Sequence, residues 1–96
     1  MGRHKIRIKM TKHGWQRALE RYIEKQYIEY VLNNPSETIY DNVRENYKSF
    51  GIISNSPFYE QPYLLIVHNK FNTVVSIITI MWMDKGGLRA HGFSKF

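Results

Sequence analysis

Apolar and charged residues alternate from Lys5 to Met10 (KIRIKM), with Ile6, Ile8 and Met10 on one side and Lys5, Arg7 and Lys9 on the other. A period of two predicts a half-buried strand with one wet, basic face. The period then lengthens. Trp15, Ala18, Leu19, Tyr22 and Ile23 recur at three- and four-residue intervals, which at ~100° per residue makes one apolar helical stripe. Thr11 stands where an N-cap belongs, its hydroxyl able to accept from an orphaned backbone N–H. A second stripe, Tyr27, Ile28, Val31 and Leu32, runs into Asn33-Asn34-Pro35. Asn tolerates the left-handed conformation and Pro cannot continue a helix, so the stop is well marked. Between the stripes, Tyr22–Glu24 offers neither Gly nor a good cap, which fits a helical pair or one bent helix.

After Pro35 the pattern turns to strands. Short ones are expected at Thr38–Val43 and Tyr47–Ser54, around a polar turn at Asp41–Asn46. Ser54–Pro62 (SNSPFYEQP) carries two prolines and reads as a loop. Tyr63–His68 and Thr73–Met83 are the most hydrophobic strands, with His68–Asn72 as the hairpin between them. Gly86-Gly87 ends the sheet and leaves a short basic, aromatic tail. The order of strand, helical pair and four-strand antiparallel run predicts an α+β fold, with the helices on one sheet face. No repeat or linker interrupts the 96 residues, which are expected to form a single domain.

Composition narrows the setting. Cysteine is absent, so disulfides and zinc-cysteine sites are excluded, which suits a cytoplasmic protein. The N-terminus has no uninterrupted apolar segment and does not read as a signal peptide. The longest apolar run, VVSIITIMWM, falls far short of the ~20 residues a spanning helix needs, so no membrane association is expected. Fourteen Lys and Arg against eight Asp and Glu give a net charge of +6. An excess of this kind favours capture of anionic partners, RNA or other nucleic acid first, with a membrane surface or an acidic protein behind it.

Within the first helix, His13, Arg17 and Arg21 follow at intervals of four, and each step of four advances only ~40° beyond a full turn. They therefore cluster opposite the apolar stripe. His13 falls in the first turn, where free N–H groups and the positive end of the helix dipole attract anions. A cation there is disfavoured for an isolated helix and favoured for an anion site. The plainer alternative is a solvated basic face, with Arg17 and Arg21 paired weakly to Glu20 and Glu24.

The run Thr11, His13, Arg17, Arg21, Ile23, followed by a helix ending Val31-Leu32-Asn33-Asn34-Pro35, resembles domain-of-unknown-function family 4258. Ile77-Ile78-Thr79-Ile80 matches that family's later apolar-apolar-Thr-apolar strand. The resemblance covers roughly residues 6 to 82. It departs at Tyr22 and Glu24, where the family tends to have a small residue and an N-cap Ser or Asp, and at Gly14, which replaces a usual Ala. The resemblance implies a barnase/EndoU/colicin/RelE-like fold, as in metal-independent ribonucleases and toxin-antitoxin toxins. It also implies His13 as acid/base, Arg17 and Arg21 as phosphate ligands, and Thr79 as a polar site residue on the sheet. An antitoxin protein is an implied partner.

The implied chemistry is coherent. Cleaving RNA without metal needs a base for the 2′-OH, an acid for the leaving 5′-oxygen, and cations at the phosphorane. Histidine titrates near neutral pH, and guanidinium makes paired hydrogen bonds to phosphate oxygens. A second acid/base would come from His68, His91, Tyr47 or Lys95. Lys5, Arg7, Lys9 and Lys12 are candidate nucleic-acid contacts, and Tyr30, Tyr40, Phe58 and Tyr59 candidate stacking residues. His4, His13, His68 and His91 lack the spacing of a local metal site, so neither metal nor cofactor is expected. Neither a glycine-rich phosphate loop nor a Ser or Cys nucleophile motif is present. Two competing readings remain: a non-catalytic nucleic-acid-binding module, and a viral or plasmid accessory protein that binds an acidic partner.

Overall fold

The computed structural model describes residues 6–96. Its elements are β1 (Arg7–Lys9), α1 (Lys12–Glu20), α2 (Lys25–Asn33), β2 (Glu37–Asp41), β3 (Asn46–Ile52), β4 (Tyr63–Phe71), β5 (Val74–Met83) and α3 (Lys85–Ala90). This is the expected α+β arrangement. The strands form a single five-stranded sheet ordered β1-β5-β4-β3-β2. β2 to β5 are antiparallel neighbours, whereas β1 joins β5 in parallel, making the sheet mixed.

Helices α1 and α2 are a pair rather than one bent helix. Tyr22 lies at φ +59°, and Ile23 N–H donates to the Ala18 carbonyl at 2.8 Å while Tyr22 N–H donates to Leu19. This is a Schellman-type stop in which Tyr holds the left-handed position usually given to Gly. Ala18 and Ile23, its flanking apolar pair, are both buried. Leu19 and Tyr22 do not join them: Leu19 is 74% exposed and Tyr22 66%. The inward stripe is therefore Trp15, Ala18 and Ile23.

Two expectations need correction. The β4–β5 turn is shorter than His68–Asn72. Asn72 alone takes φ +56°, so a two-residue turn suffices and β4 continues to Phe71. Gly86-Gly87 also does not simply end the sheet. Asp84 Oδ1 accepts from Gly87 N–H at 2.7 Å and caps α3, which buries Leu88. The helices consequently do not all lie on one face. α1 and α2 pack over Leu64, Ile66, Val75, Ile77, Ile80 and Trp82. Leu88 of α3 and Phe93 of the tail cover Phe50, Tyr63 and Leu65 on the other face.

A bulge sits in β5. Val67 aligns with Thr79 and His68 with Ile77, which leaves Ile78 unmatched. One extra residue reverses the alternation of every later side chain.

Candidate functional site

β1 pairs with β5 only over Val74–Ser76, so from Ile77 onward that side of β5 faces α1 instead of another strand. Thr11 starts the helix against this edge, its Oγ1 accepting from Gly14 N–H at 3.0 Å. Gly14 matters here for its small size. A Cβ on it would stand 2.5 Å from Met10 Cγ, so the glycine lets the chain turn closely from β1 into α1.

Between this turn and Ile78–Ile80 of β5 lies a small cleft of about 110 Å³. His13, Arg17 and Arg21 all line it, together with Thr11, Gly14 and Met10. No carboxylate is among the lining residues. Arg21 is fixed at both ends. Its Nη1 donates to the Ile80 carbonyl at 2.9 Å, and its own carbonyl accepts from Trp82 Nε1 at 2.8 Å. That guanidinium satisfies an otherwise unpaired strand-edge acceptor and still has further N–H groups. His13 and Arg17 are exposed and make no side-chain hydrogen bond or ion pair among the described residues.

Thr79 lines the cleft as well, from the edge of β5. It aligns with Val67 and shares its face with Met81, which packs beneath α3 and the tail. The bulge at Ile78 is the cause, placing Ile77 and Ile80 together on the α1 face. Arg7, Lys9 and Lys12 are exposed beside the cleft in sequence but do not line it. Lys5 lies outside the described residues. Tyr30, Tyr40, Phe58 and Tyr59 are all exposed, as stacking requires.

None of the four candidates for a second acid/base group lines the cleft. His68 and Tyr47 line a separate cavity on β3 and β4. His91 sits 3.3 Å from Lys48 Nζ, which also reaches Asp41 at 3.5 Å. Burial, helped by Lys48 and Arg44, holds the His91 pKa below the ordinary histidine range. The tail carrying Lys95 is pinned by Glu37, whose Oε1 accepts from the backbone N–H groups of Ser94 and Lys95. Those two bonds hold the Glu37 carboxyl below its usual pKa.

Thr38, Ser49 and His68 form a hydrogen-bonded chain, buried at Ser49 and His68, that no local motif announces. Strand alternation alone signals it: Thr38 aligns with Ser49, and His68 lies two residues beyond Ser49's partner Ile66. Among the described residues no three His, Cys, Asp or Glu side chains converge as a metal site. No helix of the described residues is long and apolar enough to cross a membrane. No family model, curated protein or solved structure matches the chain.

Proposed function

We propose that this protein engages RNA, holding a backbone phosphate in the α1 cleft and cleaving the strand without a metal ion. The observation that carries the reading is that His13, Arg17 and Arg21 line one cleft free of carboxylates. Arg17 offers paired donors to non-bridging oxygens. Arg21 adds charge and its remaining N–H groups from a fixed position, and the start of α1 favours the anion further. His13 is the acid/base group. As base it removes the 2′-OH proton while that oxygen attacks phosphorus, and water protonates the departing 5′-oxygen. The resemblance to RelE-like toxins agrees with this reading and suggests an antitoxin as protein partner.

One observation favours a second reading, a non-catalytic RNA-binding module. His68, His91, Tyr47 and Lys95 all lie outside the cleft's lining, so His13 has no acid/base partner among them. Incubating RNA with the protein in EDTA, wild type beside His13→Ala, separates the two. Cleavage that disappears in His13→Ala supports the enzyme, whereas RNA bound but left intact by wild type supports the module. Cleavage unchanged in the variant sinks the assigned role of His13.

A further inference from the structure

The sheet face that carries α1 and α2 is not covered over its whole length. α2 packs on β3 and β4 through Ile28 and Val31, and Gly51 allows Val31 to approach, a Cβ there standing 3.1 Å from Val31 Cγ2. Further along the same face, Tyr40, Tyr47, Ser49, His68 and Lys70 follow from strand alternation. There a cavity of about 370 Å³ opens, lined by Thr38, Tyr47, His68, Lys70 and Asn72. Its size lies at the lower end of the ~300–1,000 Å³ typical of small-molecule sites.

The cavity is built around a buried polar group. His68 is 7% exposed, its Nε2 lies 2.9 Å from Ser49 Oγ, and Ser49 Oγ lies 2.8 Å from Thr38 Oγ1. His68 Nδ1 is closed off from solvent and has no partner among the described residues, so a ligand meets it only as the side chains over it shift. An unmade bond at such an atom is costly, and a native structure seldom leaves one without a reason. Burial first, and then Lys70, depresses the His68 pKa, so the ring is neutral at pH 7. Depending on the direction of the hydroxyl chain, Nδ1 either accepts or donates. Above it, Tyr47 lies nearly parallel to the His68 ring (19°, centroids 6.0 Å apart), and Tyr40 meets Tyr47 edge-on at 4.9 Å. Both tyrosines remain substantially exposed.

These features together select a class of ligand. An aliphatic group leaves His68 Nδ1 unsatisfied, and a simple anion leaves the aromatic wall unused. A flat heteroaromatic ring with donors and acceptors on one edge and a phosphate attached meets Tyr47, His68 and Lys70 at once. We infer that this cavity is a nucleobase pocket, seating one unpaired base of a nucleotide against Tyr47, its polar edge on His68 and its phosphate at Lys70. The inference deepens the RNA reading and rests on it. His68 aligns with Ile77 of β5, the residue immediately before the Ile78–Ile80 wall of the phosphate cleft. The two sites are thus lined from adjacent strands of one sheet.

The test is titration with uridine and adenosine 5′-monophosphates, following the imidazole and tyrosine ring signals by NMR, with inorganic phosphate as the control. A saturable shift of His68 and Tyr47 is expected from at least one nucleotide, and none from phosphate alone. Tyr47→Ala and Lys70→Gln alter exposed side chains and should each weaken binding about tenfold, within the range expected for a stacked base or a phosphate contact. Arg17→Ala should leave these shifts intact. If Arg17→Ala does not change RNA affinity while nucleotides still shift His68, the phosphate-cleft reading fails and the base pocket stands. The base pocket is overturned if neither nucleotide shifts His68, if inorganic phosphate reproduces the shift, or if Tyr47→Ala leaves binding unchanged.

Discussion

Arg21 Nη1 donates to the carbonyl oxygen of Ile80 at 2.9 Å, joining the end of α1 to the open edge of β5. The two arginines of the cleft therefore have different duties. Arg21 holds the wall in place, while Arg17, with no such tie, is available to a ligand. Arg21→Ala leaves the Ile80 carbonyl without that donor and should lower stability by about 1 kcal/mol, the usual scale for one hydrogen bond. Arg17→Ala should leave stability within about 0.5 kcal/mol of wild type, yet weaken RNA binding and reduce the magnitude of its salt slope by about one. Denaturant unfolding together with RNA titrations at several salt concentrations would check the pair. Equal stability losses in both variants would contradict the division of roles.

The cleft's geometry also depends on Thr11. Its hydroxyl caps α1 through Gly14 N–H, which sets the first turn and so the position of His13. Thr11→Ala should cost about 1 kcal/mol and Thr11→Ser much less, because serine retains the capping oxygen. A Thr11→Ser loss as large as that of Thr11→Ala would mean that the methyl group, not the cap, matters.

Stability should fall as pH drops below the ordinary histidine range. His68 and His91 both have lowered pKa values in the fold, through burial first and then nearby cations. The unfolded chain binds protons at about 6.5, before the folded one does, so protons favour unfolding. The stability present above that value is lost as pH falls through it toward the folded values. His68→Gln should show a flatter decline between pH 7.5 and 5.5 in thermal or urea unfolding. An unchanged slope would show that His68 is not held neutral.

Much of this architecture is legible in local signals. The alternation of KIRIKM, the Thr11 cap and the Asn-Asn-Pro stop each act over a few residues, and each leaves a corresponding feature in the fold. The three four-spaced residues His13, Arg17 and Arg21 also share one cleft as their helical spacing requires. What escaped depends on contacts distant in sequence. α3 forms across Gly86-Gly87 because Leu88 finds a buried place against the sheet, and the Asp84 cap is its one local signal. Tyr22 accepts a left-handed conformation because burying Ala18 and Ile23 requires the stop there. The sheet face that Thr79 takes depends on a single residue of register. Without the Ile78 bulge it would share a face with Ile77, and with the bulge it does not.

Gly14 offers the sharpest test of how the site is built. Glycine inside a helix is about 1 kcal/mol worse than alanine, so Gly14→Ala on propensity alone should stabilise α1. The structure opposes this: the new Cβ would meet Met10 Cγ at 2.5 Å and Sδ at 3.0 Å. Met10 packs against the core alongside Ile6 and Ile8, and Cγ is close to its backbone, so the side chain cannot swing clear without giving up contacts. Overpacking of this kind costs roughly 1–3 kcal/mol, which exceeds the propensity gain. Gly14→Ala should therefore destabilise the native chain. In a Met10→Ala background the obstacle is gone, and the same substitution should stabilise by up to about 1 kcal/mol. A double-mutant cycle by urea unfolding measures the reversal directly. If Gly14→Ala has the same effect in both backgrounds, Met10 does not dictate the glycine, and the close turn from β1 into α1 has another cause.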